Sequence, residues 1–152
     1  MTDVELTRAL EEGRVRNEDF RHVSHLHVAW VYLAESQSAE QAAEKMSSTL
    51  RRFAASAGHA EKYHETITQF WIRLLGALRN AQQQRDLDSI LQAFPRLLEK
   101  DFPLDYYSRE KLFSDRARTS WVEPDLKPFS TDAIAIHSSS STGNTPDRVV
   151  CR

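Results

Sequence analysis

Histidine is concentrated in one stretch of this chain. Of six histidines, His22, His25, His27, His59 and His64 precede residue 65, and His137 alone lies beyond it. Imidazole changes charge nearest to neutral pH and is a common metal ligand. His22 and His25 are spaced i, i+3, so on a helix they can face one ligand. His64 would add a third nitrogen and Glu65 an oxygen, a donor set that suits zinc, iron or copper. The cofactor expected on that reading is a divalent transition metal. The plainer reading is that these are ordinary surface or core histidines, which are common at intermediate burial. It carries most weight for His27, mid-stripe between Val23 and Trp30. Known metal motifs add little. His64-Glu65-Thr66-Ile67-Thr68 begins like His-Glu-x-x-His, but Thr68 replaces the second histidine and excludes a zincin helix there. Glu61-Lys62-Tyr63-His64 has the Glu-x-x-His spacing of di-iron bundles once, where those sites use it twice.

Two other chemistries share these positions. Arg14, Arg16, Arg21 and Lys62 fall near expected helix N-termini, where backbone N–H groups and the dipole favour a small anion. Tyr63 and Arg109 join Arg21 and Lys62 as candidate ligand contacts. Exposed cations that only solvate a helix end explain the same pattern. His64 is also a candidate general base, with Glu65 orienting it. No Gly-x-Ser-x-Gly elbow and no Gly-rich phosphate loop occurs. Cys151 lies beside the C-terminus, far from any element that would hold a base against it.

The elements that must position these residues read as helices. Gly is rare and Pro is confined to the second half, which leaves long segments without breakers. Thr2 and Glu5 have capping-box spacing, so a helix is expected over about 3–12, ending at Gly13. Asn17 is read as the N-cap of a second helix running to about Glu35. Ser38 and Gln41 open a third, whose stripe of Ala42, Ala43, Met46, Leu50 and Phe53 has helical period, with Gly58 as its stop. A fourth is expected over about 61–84, burying Tyr63, Ile67, Phe70, Trp71, Leu74, Leu75 and Leu78. Thr66-Ile67-Thr68 is a poor β-branched choice inside it, and such local conflict marks functional or strained positions. In an antiparallel layout the second and fourth helices run parallel, which brings His22, His25, His59 and His64 to one end. Asp86, Ser108 and Ser114 can cap short helices after that. Tyr106 and Tyr107 either line a pocket or lock the C-terminal segment, the latter being favoured. Trp121 to Pro128 should be extended against the bundle. The Ser-rich remainder lacks the apolar surface to offset ordering entropy.

The fold class expected is therefore all-α: a compact bundle of four to five main helices with short C-terminal helices. The domain should span residues 1–128, with 129–152 a disordered tail. A 152-residue chain needs no metal or disulfide staple to hold a core. A net charge of −2 gives no pull toward nucleic acid or anionic membrane. The single cysteine fits a reducing cytoplasm. No signal peptide and no membrane span is read from the chain.

His25-Leu26-His27-Val28-Ala29-Trp30-Val31-Tyr32-Leu33 and Lys62-Tyr63-His64-Glu65-Thr66-Ile67-Thr68 resemble segments of a family of small bacterial helical proteins of unknown function. Tyr106-Tyr107-Ser108-Arg109-Glu110 and Trp121-Val122-Glu123-Pro124-Asp125-Leu126 extend the likeness over about residues 17–128. The resemblance carries no activity. It implies that His22, His25, Tyr63, His64, Glu65, Arg109 and Glu110 belong to the family pattern. The function expected is a binding module whose His-rich end takes a metal or a small anion. A small enzyme using His64 as general base, or a helical interaction module forming a homodimer, are the alternatives.

Overall fold

Every regular element is helical among the residues described by the computed structural model, 1–83 and 85–129. Helix α1 (Asp3–Glu11) opens on the expected capping box: the Glu5 N–H donates to Thr2 Oγ1 at 3.1 Å, and the Thr2 N–H to the Glu5 carboxylate at 2.8 Å. Gly13 ends it at φ +74°, a left-handed conformation that costs glycine least.

Helix α2 (His22–Glu35) begins at His22, not after Asn17 as expected. Asn17–Asp19 instead form a separate 3₁₀ turn, and Phe20 is extended at φ −100°, ψ 99°. Helix α3 (Ala39–Ser56) starts where Ser38 predicts, with the Gln41 N–H on Ser38 Oγ at 3.0 Å. Gly58 turns the chain out at φ +78°. Helix α4 (Glu65–Ala81) repeats the plan of α2 and corrects the expected start near 61. A 3₁₀ turn over Ala60–Lys62 comes first, then extended Tyr63, then the cap. In both places an aromatic residue leaves the helical path just before the cap, and its ring turns toward the same end of the bundle.

His22 packs on Trp71, with ring centroids 4.7 Å apart. A Cβ added at Gly76 would meet Leu33 Cδ2 and Ala39 Cβ, each at 3.3 Å. Early α2 thus faces early α4 and late α2 faces late α4, so these two helices run the same way, as the topology predicts. The absent Cβ lets α4 close on the α2–α3 turn.

Three short helices follow: α5 (Leu87–Ala93), α6 (Arg109–Leu112) and α7 (Asp115–Thr119), capped by Asp86, Ser108 and Ser114 as expected. Tyr106 and Tyr107 are buried. The Tyr107 hydroxyl donates to Val122 O at 2.7 Å, and the Leu126 N–H to Tyr106 O at 2.8 Å. They lock the non-helical segment 120–129 onto the bundle. Phe129, expected as the first tail residue, is half-buried and packs against the core on Phe70, with centroids 5.4 Å apart. The rest of the expected disordered tail, 130–152, lies outside the described residues. No helix among the described residues is long and apolar enough to cross a membrane.

A candidate ligand pocket at the histidine-rich end

The first turns of α2 and α4 do not close on each other. Between them and α3 lies a pocket of about 300 Å³, walled by Phe20, Met46, Leu50, Phe53, Ile67 and Trp71. The two extended aromatics explain half of it. Phe20 stacks on Phe53 at 5.2 Å and on the His25 ring at 4.3 Å. Tyr63 closes the α4 side, with Arg51 over its ring at 5.2 Å. His25, His59, Lys62, Tyr63 and His64 all reach the pocket; no carboxylate lines it.

His25 uses one nitrogen. Its Nδ1 lies 3.0 Å from Arg21 O, and a carbonyl can only accept, so Nδ1 carries the proton in the neutral ring. Nε2 keeps its lone pair and has no hydrogen-bond partner among the described residues. Burial pushes the imidazole down to about 4, against a smaller opposing pull from Arg21 O. His25 is thus neutral at pH 7, with one acceptor left over.

His64 has none left over. Its Nδ1 accepts the Ile67 N–H at 3.1 Å and so caps α4, an unusual task for histidine. Its Nε2–H donates to Leu112 O at 2.7 Å, which ties α4 to α6. Burial lowers its pKa, and the positive Arg118 adds to the effect. Both His64 nitrogens are thus spent on backbone groups, whereas the general-base role expected for it calls for a free lone pair.

Glu65 does not orient His64 either. It is buried and gathers the Tyr63 hydroxyl at 2.6 Å, Gln69 Nε2 at 2.8 Å, an Arg51 N–H at 3.1 Å and Ser47 Oγ at 3.4 Å. Burial alone would raise its pKa, but the four donors together hold it below the usual carboxylate range. Burial, and after it the same carboxylate, push the Tyr63 phenol up to about 12. Glu65 therefore fixes Tyr63 against the pocket and bonds α3 to α4.

The expected metal set is not assembled. His22 Nε2 lies on Leu97 O at 2.9 Å, His25 Nδ1 on Arg21 O and His64 Nε2 on Leu112 O, three separate carbonyls. No group of three His, Cys, Asp or Glu among the described residues is placed to hold an ion. The expected anion cluster also divides. Arg14 pairs with Glu12 at 2.7 Å and Arg16 with Asp19 at 2.9 Å. Arg21 and Arg109 are exposed and absent from the pocket lining. Lys62 remains, exposed at the pocket's edge, with no ion pair among the described residues.

No family model, curated protein or solved structure matches this chain. The chemistry of the site thus rests on its own residues. The histidine clustering in the sequence points to the end of the bundle where this pocket lies. The apolar walls were the missed part: Phe20, Leu50 and Phe53 sit on ordinary core stripes, and nothing in their spacing distinguishes a cavity wall from a filled core. Phe20 beside the capping-type residues 17–19 was the one available signal, an aromatic at a helix entrance.

Proposed function

We propose that this chain is a binding module that takes a small, mainly apolar molecule in the pocket between α2, α3 and α4. The observation that carries the reading is the pocket itself. Its volume of about 300 Å³ sits at the lower end of the range for ligand sites. Aromatic and aliphatic walls with a few converging polar groups are the composition such sites have. Its polar groups are fixed from behind: Arg21 O holds His25, Glu65 holds Tyr63, and two backbone groups hold His64. Pre-formed groups of that kind reduce the ordering cost of binding.

The three tryptophans supply the test, because Trp71 lines the pocket while Trp30 and Trp121 do not. In an NMR titration with indole or toluene, the Trp71 indole N–H signal should move, with a Kd of about 1 mM or tighter. The Trp30 and Trp121 signals should hold. Ala54→Phe, which fills the pocket from α3, should abolish the shift. A Trp71 signal that stays put at saturating probe refutes the reading.

A further inference from the structure

The pocket's polar groups are unequal, and the inequality bears on what would bind. Among the lining residues Lys62 is the one lysine or arginine and no carboxylate joins it, the Glu61 carboxylate lying beyond the lining. Lys62 is exposed and unpaired among the described residues, whereas the nearby Arg118 is occupied by Glu61 O. His59 is shared with Glu61 at 4.0 Å. No Asp or Glu lines the cavity to oppose an anion. Inside, the walls are mostly apolar, and His25 Nε2 accepts from no side chain among the described residues, the Asn17 amide on the lining included. Thr68 cannot supply a donor, because its hydroxyl donates to His64 O at 2.9 Å. Tyr63 cannot, because its hydroxyl donates to Glu65. The interior therefore has an acceptor seeking a donor, and the edge has a cation seeking an anion.

Resting on the pocket reading above, we propose that the ligand is an amphipathic aromatic acid. Its carboxylate meets Lys62 at the edge, and a neutral O–H or N–H on its ring donates to His25 Nε2 inside. The second contact sets specificity. An acceptor that the bound ligand covers rejects an analogue without a donor, because binding the analogue strips His25 of water and returns nothing. The Lys62 contact is exposed and weaker, and it selects acids over neutral analogues. A bare inorganic anion would leave the apolar walls unfilled.

Three probes separate these contacts: 3-(4-hydroxyphenyl)propionate, 3-phenylpropionate and 3-(4-hydroxyphenyl)propionamide. Calorimetric titration of the full chain at pH 7.5 should rank the hydroxy acid about tenfold or more tighter than the des-hydroxy acid. It should bind about threefold tighter than the amide. His25→Phe should erase the gap between the two acids while phenylpropionate still binds. Lys62→Gln, a surface change that leaves the core intact, should erase the gap between acid and amide. If phenylpropionate binds the native chain as tightly as the hydroxy acid, the His25 contact is overturned, and a moving Trp71 signal would show that the pocket reading survives. If the amide binds as tightly as the acid, the Lys62 contact is overturned in the same way. If none of the three binds while indole still shifts Trp71, the ligand class is wrong and the pocket remains. If indole fails too, both readings fall together.

Discussion

Glu65 keeps its charge in a buried position because four donors surround it, and that arrangement makes a measurable claim at the level of single residues. Glu65→Gln leaves the shape but weakens every charge-assisted bond to it. The expected loss is about 1–3 kcal/mol in urea unfolding. The Arg51 partner contributes little of that, since its side chain is 58% exposed. Tyr63→Phe removes the shortest bond and should cost about 1 kcal/mol. The two changes share one hydrogen bond, so the double variant should lose less than the sum, with a coupling of about 0.5 kcal/mol or more. Strict additivity would show that Tyr63 and Glu65 do not act as a unit. The sequence made both residues visible, as neighbours of His64, but assigned them to ligand binding and catalysis. Their actual partners, Ser47 and Arg51 on α3, become neighbours only through packing, and no spacing along the chain announces that.

Element starts show where local signals stop being sufficient. Ser38, Asp86, Ser108 and Ser114 cap the helices they were expected to cap, because a short polar side chain beside a polar-to-apolar switch has one favourable use. Asn17 fails because a 3₁₀ turn competes at the same residues and the α2 helix needs Phe20 outside it to reach Phe53. The β-branched run at 66–68 reads as a conflict along the chain and resolves in the fold. Thr66 Oγ1 donates to Ser120 O at 2.8 Å and accepts the Val122 N–H at 3.3 Å, which docks the C-terminal segment on α4. Ile67 faces the pocket, and Thr68 bonds back to His64 O. Thr66→Val keeps the shape and removes both docking bonds, leaving a buried N–H and a carbonyl unpaired. Hydrogen exchange at the Val122 amide should accelerate, and stability should fall by about 1–3 kcal/mol. Unchanged exchange at Val122 would mean that Tyr107 and the aromatic packing hold the segment alone.

At the scale of the whole molecule, the histidines set a limit on acid. His22, His25 and His64 all have folded-state pKa values below the ordinary imidazole value, each chiefly through burial. Around His25 only Arg21 O opposes the burial, and His22 adds to it. A neutral histidine held below its unfolded pKa stabilises the fold at high pH. As pH falls below about 6.5, the unfolded chain takes up protons that the folded chain refuses, so stability drops. For His25, with its pKa down to about 4, the loss is on the order of 3 kcal/mol, less the part its opening to the pocket returns to solvent. A domain of this size has about 5–15 kcal/mol in total, so the His25 contribution alone is a sizeable part of it, and His22 and His64 act in the same direction. The drop should therefore come between pH 6.5 and 4, above the range where Glu65, Asp86 and Asp125 lose their own contributions on protonation, since their folded-state pKa values are lowered. Urea unfolding at pH 7.5, 5.5 and 4.5 should show a steady loss in the native chain and a shallower one in His25→Phe. A stability that is flat from pH 7.5 to 5.5 and falls only below 4 would assign acid sensitivity to the carboxylates instead. A ligand donating to His25 Nε2 competes with the proton for the same lone pair, so its protection should hold steady while the folded His25 is neutral and fall off as pH approaches about 4.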